Sequence, residues 1–520
     1  MKKNIYYLKI IGVCISIFSS IILFNSCSKK LDLPEYNAYS PTSLDPTGGN
    51  WKTYVLASAN DINVPTPSDP SSANYLKEIQ SLKTIQSQLT DDQKNAVAYW
   101  SVGGVFRWNE IAREIAAKYN LPPQQNPDGT YPVPDANNPF NYPKFPFANP
   151  PYAARAFAYL AVAQYDALVA TWNYKFKYNR LAPYKIDNSI HALVPLTELP
   201  SYPSEDAVIA RVSVNILKKM FPCEAVYLEQ KAAEHLNSRL WASANVQSDL
   251  AIGDTLGRLI AAKVLARAKS DGMGSANNQL KVDSLKTSAS ARWQTSLWES
   301  LESPKRPPML PVYGNVKNWN FTASQKIALR PPAPPTLESD QFKNALEELR
   351  GYSKNLSSDQ YRIASYWSDG VGSYTPPGHW NREAANLCYK NKFSELRTAR
   401  TMALLGTAVM DAGVCCWETK YFYFVPRPSQ VDPSIKTTIG VPNFPSYTSG
   451  HSTFSGAGAS VLSYIFPDQT DALNAKAAEA SISRIYGCIH YRFDCDAGLK
   501  CGKNIGQFSV LRGQNDGSGL

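Results

Sequence analysis

Sliding this 520-residue chain against itself by 245 positions lays one stretch over another. Ala154-Arg155 falls on Ala399-Arg400, Asp166-Ala167 on Asp411-Ala412, Trp172 on Trp417, and Lys175 on Lys420. Pro183 falls on Pro428, Pro200-Ser-Tyr-Pro-Ser204 on Pro445-Ser-Tyr-Thr-Ser449, and Phe221-Pro222 on Phe466-Pro467. Lys231-Ala-Ala-Glu234 falls on Lys476-Ala-Ala-Glu479, Ser238-Arg239 on Ser483-Arg484, Asp249 on Asp494, and Gly253 on Gly498. About 30 of about 107 ungapped positions are identical, too many for unrelated sequence. Tyr99-Trp100 and Trp108-Asn109 pair with Tyr366-Trp367 and Trp380-Asn381 at slightly larger offsets. A period this long implies one structural unit used twice.

The unit is helical. Apolar residues recur at three- and four-residue spacing over Ala153–Tyr174, Ser204–Lys219, Val226–Leu240, Gln247–Ala268, Gln341–Arg350, Asp359–Trp367, Asn381–Cys416, Ser452–Tyr464, Ala472–Tyr486 and Asp494–Leu511. Pro- and Gly-rich loops separate them, notably Pro122–Pro151 and Ser303–Pro335. No run alternates convincingly with period two. The fold class expected is all-α, as two related bundles packed together. The expected organisation is an N-terminal half over 51–300, a Pro-rich linker over 301–335, a C-terminal half over 336–511, and a flexible tail over 512–520.

Ahead of the first half stands an export signal. Lys2, Lys3 and Lys9 precede an apolar run from Ile10 to Phe24, then Asn25-Ser26-Cys27. The layout resembles a bacterial lipoprotein signal over 1–27, with Cys27 the lipidated residue; Phe24-Asn25 is a loose version of its usual small-residue pattern. The Ser/Pro/Gly-rich segment 28–50 reads as a flexible tether. No other apolar stretch reaches the roughly 18 residues that span a bilayer. An exported body joined to a membrane only through its lipid is therefore expected. Formal net charge is +10, with no dense Lys/Arg run of the nucleic-acid type, which suits weak attraction to anions. Cys488, Cys495 and Cys501 are close enough in sequence for one disulfide; buried thiols fit equally well.

Three stretches of the second half converge on anion chemistry. They are Lys420–Pro428, Pro445–His451 and Ser483–Asp494, and they contribute Lys420, Arg427, the Ser449-Gly450 turn, His451, Arg484 and His490. Arginine forks grip an oxyanion edge and lysine adds a point charge. A Ser-Gly turn at a helix start offers backbone N–H groups. Two histidines can divide the work, one bonded to the central atom and one acting as acid or base.

The first copy is an internal control. It keeps Lys175, Ser204, Arg239 and Asp249, but Arg427 becomes Ala182, Gly450 becomes Glu205, His451 becomes Asp206, His490 becomes Asn245, and Asp369 becomes Val102. With both histidines lost and two carboxylates gained, it should not hold an oxyanion and is expected to be structural. Asp494 recurs as Asp249, so a helix-start role and the orientation of His490 both remain open.

The three motifs resemble the superfamily of type 2 phosphatidic acid phosphatases, bacterial acid phosphatases and vanadium-dependent haloperoxidases. Thr448 stands where the phosphatase motif has proline. Tyr366-Trp-Ser-Asp369-Gly, Thr375-Pro-Pro-Gly-His379-Trp-Asn381 and the doubled bundle resemble the haloperoxidase branch. The resemblance implies vanadate as cofactor, with phosphate able to occupy the same cradle. It implies that Lys420, Arg427, Ser449, Gly450 and Arg484 hold the oxygens and that His490 bonds the vanadium. His451 would be the acid–base, with Asp369 as its candidate partner, and Trp417 and Phe444 would line the halide approach. Hydrogen peroxide and a halide, iodide or bromide ahead of chloride, would be the substrates and hypohalous acid the product. The alternative is an acid phosphatase cleaving a phosphoester through a phospho-His490 intermediate.

Overall fold

The computed structural model describes residues 36–132 and 146–519. The signal segment with Cys27, and residues 28–35 of the tether, lie outside the described residues. Within them the chain is helical, without a β-strand. Residues 36–519 pack as one compact unit.

The elements of the two halves recur at the sequence offset, consistent with the internal duplication. Pro150–Tyr178 and Glu395–Tyr423 are each 29 residues long. Each ends on a left-handed residue, Asn179 and Phe424, whose N–H returns to the carbonyl of the paired lysine, Lys175 and Lys420. Glu205–Met220 answers Gly450–Ile465, Ala225–Trp241 answers Thr470–Tyr486, and Gln247–Lys269 answers Arg492–Gln514. Further ahead, Asp91–Trp100 and Gly104–Tyr119 answer Ser358–Tyr366 and Thr375–Lys390.

The two long helices lie against each other at the centre. A Cβ added to Gly406 would sit 3.1 Å from the Cα of Ala158, so the missing side chain permits the close approach. Glu395–Tyr423 is apolar and long enough to pass as a membrane span by composition. Its most apolar window is nevertheless wholly buried inside the protein. Small residues such as Ala399, Ala403, Ala408 and Ala412, all fully buried, let neighbours crowd it from every side.

Several expectations change in detail. The pattern over Asn381–Cys416 is two helices, not one. Thr375–Lys390 stops at Asn391, and Glu395–Tyr423 starts afresh because the Ser394 hydroxyl accepts the Arg397 amide. Helices at Ala73–Gln86, Asp91–Trp100, Gly104–Tyr119, Val282–Arg292 and Ala323–Leu329 escaped the pattern; Gly104–Tyr119 is buried along nearly its whole length, which blurs its apolar face.

Residues 36–50, expected as tether, are packed. Asp45 pairs with Arg397 and accepts from Ser394 Oγ at 2.6 Å, and Tyr36 donates to Asn386 at 2.7 Å. The expected tail is also fixed, through Arg400 Nε on Asp516 Oδ2 at 2.6 Å. The Pro-rich linker is pinned where Asp411 accepts the amides of Trp319 and Asn320 at 2.8 and 3.0 Å. Cys488, Cys495 and Cys501 are buried thiols, not joined by a disulfide.

Candidate active site

The cluster forms where four elements meet: the C-terminal end of Glu395–Tyr423, the N-terminus of Gly450–Ile465, the end of Thr470–Tyr486, and the start of Arg492–Gln514. Lys420 lies one turn before the left-handed stop at Phe424, fully buried. Its ammonium donates to the carbonyls of Pro445, Ser446 and Thr448 at 2.8, 2.9 and 2.5 Å. All three donors are thus engaged in holding the Pro445–Thr448 turn, and what the lysine offers the centre is its charge. Burial pushes its pKa down to about 7.

Arg427 is equally buried. Its Nε donates to Phe444 O at 3.0 Å, and its Nη1 to Ile489 O at 2.8 Å and His490 Nε2 at 3.0 Å. Arg484 differs. Its Nη1 donates to Trp367 O at 2.9 Å and to His451 Nε2 at 2.8 Å, while Nε and Nη2 are buried with no partner. Leaving guanidinium donors dry is costly unless an acceptor is meant to reach them. Burial lowers both arginines to about 10, as expected of cations gathered without their counter-ion.

His490 is 2% exposed. Its Nδ1 donates to Asp494 Oδ2 at 2.8 Å, with Ser446 Oγ 3.3 Å away. That bond selects the tautomer with its lone pair on Nε2, the side facing Arg427. Asp494 does two jobs. Its Oδ2 accepts the Tyr491 amide at 3.2 Å, closing the first turn of Arg492–Gln514, and orients the imidazole. Ser446 Oγ donates to the same oxygen at 2.5 Å. Burial, then the charges of Arg427, Lys420 and Arg484, hold the His490 pKa well below its ordinary value, so the ring is neutral.

Ser449 caps the Gly450–Ile465 helix by accepting the Ser452 amide. The amides of Gly450 and His451 belong to the first turn and have no intrahelical acceptor. A Cβ on Gly450 would meet the rings of Phe454 and Trp417 at 3.8 Å, ordinary contact, so steric need does not explain this glycine. His451 is held neutral by burial, then by Arg484 and His379.

Asp369 sits beside two imidazoles. Its Oδ1 accepts from His379 Nδ1 at 3.3 Å, and its Oδ2 is 4.0 Å from His451 Nε2. Its direct partner is therefore His379 and not, as expected, His451, which it meets only at ion-pair range. His379 stacks on Trp367 with centroids 4.3 Å apart and receives Tyr366 OH at 3.3 Å. Trp417 and Phe444 pack against each other at 4.8 Å and lie near Lys420, whose Nζ is 5.9 and 4.9 Å from their ring centroids. Both are buried.

The fold brings Lys420, Arg427, Ser449, Gly450, His451, Arg484 and His490 into one cluster. The sequence passed over Ser446, gave His379 no role, and left the part of Asp494 open between helix start and orientation of His490; Asp494 contacts both. Ser446 recurs in the first copy as Ser201, so subtracting one copy from the other hid it, and the recurrence of Asp494 as Asp249 left its role undecided.

The first copy shows what the substitutions do. Lys175 is paired with Glu205 at 2.7 Å, and Asp206 with His235 at 2.9 Å. Arg180, which has no counterpart at the aligned position, sits 3.1 Å from Asp249. Asn245 accepts from Ser204 Oγ at 3.1 Å and donates to Ser201 O at 3.0 Å. The counter-charges that an anion would bring to the second copy are supplied here by carboxylates.

Residues 400–514 match the PAP2 superfamily. No curated protein sequence matches the chain. Among solved structures, a bacterial vanadium-dependent iodoperoxidase aligns over 78% of this chain and 96% of its own, with 20% identity and a TM-score of 0.58. A bacterial vanadium-dependent chloroperoxidase aligns in its holo form over 74% of this chain and 97% of its own, with 14% identity and a TM-score of 0.50. Its apo form covers 70% and 93%, with the same identity and score. At these identities the likeness is one of fold.

Proposed function

We propose that this chain, whose segment 400–514 belongs to the PAP2 superfamily and whose fold is shared with the vanadium-dependent haloperoxidases, is an enzyme that oxidises halide with hydrogen peroxide using bound vanadate. The observation that carries the proposal is the pairing of a neutral His490, its Nε2 lone pair turned to the cluster, with the unpartnered Nε and Nη2 of Arg484. A lone pair suits a metal centre, and unmet donors suit its oxygens.

Vanadate fits the donor set. Arg484, the Gly450 and His451 amides, and the charges of Lys420 and Arg427 would hold its oxygens, and His490 Nε2 would bond the metal. When bound, it would supply a Lewis acid that activates peroxide without changing oxidation state. The rest falls to the chain. Asp494 fixes the His490 tautomer. Lys420 and Arg427 keep positive charge where negative charge gathers. His451, neutral and beside Arg484, would take a proton from hydrogen peroxide. Iodide or bromide ahead of chloride is the proposed halide preference. Export and lipid attachment at Cys27 are the proposed placement.

The test is peroxide-dependent iodide and bromide oxidation by protein dialysed against vanadate, beside aryl-phosphate hydrolysis. Vanadate-dependent halide oxidation is expected. Phosphoester hydrolysis with no halide oxidation at any pH would replace the proposal with the acid phosphatase alternative.

A further inference from the structure

A partly open cavity of about 170 Å³ lies at the first copy's equivalent of the anion site, closed on one side by Phe393, Ser394 and Glu395 of the second half. Among its lining residues are Trp100, Trp172, Glu205, Asp206, Arg239 and Glu395. Two of the carboxylates are engaged, Glu205 with Lys175 and Asp206 with His235 and Arg239. Glu395 is not. Among the described residues it forms no ion pair, and its Oε2 accepts the Val105 amide at 3.0 Å. Glycine at 103 makes room for it: a Cβ there would lie 1.9 Å from Glu395 Oε1, and its φ of +128° independently favours glycine.

A second group is also unmet. Arg239 is 4% exposed, and its Nη2 is buried with no partner. The cavity therefore presents one carboxyl without a counter-charge and one guanidinium donor without an acceptor, beside two indoles. With every acid ionised, three carboxylates face Lys175 and Arg239 only, so the cavity lacks one positive charge. Of the other titratable groups around it, His235 is held neutral chiefly by burial, and burial raises the Tyr39 and Tyr184 hydroxyls above their ordinary value, so none adds charge.

We propose that this cavity binds a small organic cation carrying a hydroxyl or carbonyl oxygen, the cationic nitrogen set against Glu395 and the indoles and the oxygen on Arg239 Nη2. Carboxylate plus aromatic wall is the usual recognition of an alkylammonium group. The volume admits a molecule of choline or ethanolamine size. The inference is independent of halide oxidation, since neither His451 nor His490 lines the cavity, although Glu395 comes from the second half.

The proposal has a pH signature. Burial, then Asp206 and Glu205, push the Glu395 pKa up to about 8. A cation binds the ionised carboxyl. Below about 8 the empty site holds a proton that must leave, so affinity falls about tenfold for each further unit of acidity.

The experiment is calorimetric titration of the full chain with choline, whose charge is constant with pH. Ethanolamine and the neutral carbon isostere 3,3-dimethyl-1-butanol are run beside it. Saturable binding of choline or ethanolamine is expected, at least about tenfold tighter than the neutral alcohol and weakening from pH 8 to pH 6. Glu395→Gln should weaken it about tenfold or more and flatten the pH dependence. The wild-type pH series stands alone should that variant fail to fold. No saturable heat with either cation at concentrations far above the millimolar range, a neutral alcohol that binds as well, or an affinity flat from pH 6 to 9 would each overturn the proposal.

Discussion

The Nδ1 of His490 lies 2.8 Å from Oδ2 of Asp494, and Ser446 Oγ donates to the same carboxylate oxygen at 2.5 Å. Partners that hold a metal-binding imidazole in one tautomer typically change metal affinity 10- to 100-fold when removed, about what Asp494→Ala should cost in vanadate affinity. His490→Ala should abolish turnover. Reconstitution of the apoprotein with graded vanadate reads both. An Asp494→Ala enzyme with unchanged vanadate affinity would mean that the carboxylate serves only the helix start.

Lys420 gives a pH dependence whose sign is fixed. Its free-site pKa is about 7, lowered chiefly by burial. An oxyanion binds best to the ammonium form. Below about 7 that form is already present, and above it each unit of pH demands a proton on binding and costs up to tenfold in affinity. Sulfate is a suitable probe because its own charge is constant there. Its dissociation constant should rise above pH 7, and Lys420→Gln should bind weakly with no such slope. A flat wild-type profile would remove Lys420 from the cradle.

Asp369, His379 and His451 separate binding from proton transfer. Asp369 Oδ1 holds His379 at 3.3 Å, and Oδ2 lies 4.0 Å from His451 Nε2. Removing a general base costs about 10²–10⁴ in rate, the loss predicted in kcat for His451→Ala with oxyanion affinity changed far less. Asp369→Asn should give a smaller loss and shift the acid limb of the rate profile. Equal losses in affinity and rate would make His451 a cradle residue instead.

The repeat made the fold legible because helix boundaries, capping serines and the left-handed stops at Asn179 and Phe424 all follow the offset. The candidate anion site stood out because Arg427, Gly450, His451 and His490 differ between copies. What stayed hidden did so for separate reasons. Ser446 persists in both copies and so drew no notice, and Asp494 persists too, which left its role open. His379 lies ahead of the ungapped repeat, and its contact with Asp369 depends on how Thr375–Lys390 packs. The C-terminal residues read as a tail because a short polar segment with glycines carries no periodicity. Its anchor, Asp516, needs a partner 116 positions away.

That anchor has an internal twin. Arg400 Nε meets Asp516 Oδ2 at 2.6 Å and its Nη2 meets Gly513 O at 2.9 Å; Arg155 meets Asp271 at 2.7 Å and Ala268 O at 2.9 Å. Both pairs are buried. Removing one member of a buried pair typically costs about 3–5 kcal/mol, the loss of stability predicted for Asp516→Ala in urea denaturation. A loss under about 1 kcal/mol would restore the flexible-tail expectation, since only exposed pairs are worth so little.

Asn245 decides whether the first copy takes part in turnover. It occupies the sequence position of His490, yet it is spent on structure, accepting from Ser204 Oγ at 3.1 Å and donating to Ser201 O at 3.0 Å. Asn245→Ala strands both partners in the interior, and stranded buried groups cost about 1–3 kcal/mol each in stability. The lysine of that half is already neutralised by Glu205 at 2.7 Å, so no anion site is lost with the asparagine. The variant should melt at lower temperature while vanadate-dependent turnover per folded molecule stays near wild type. Turnover reduced as severely as in His490→Ala, at a temperature where the variant is fully folded, would overturn the assignment of chemistry to the second copy alone.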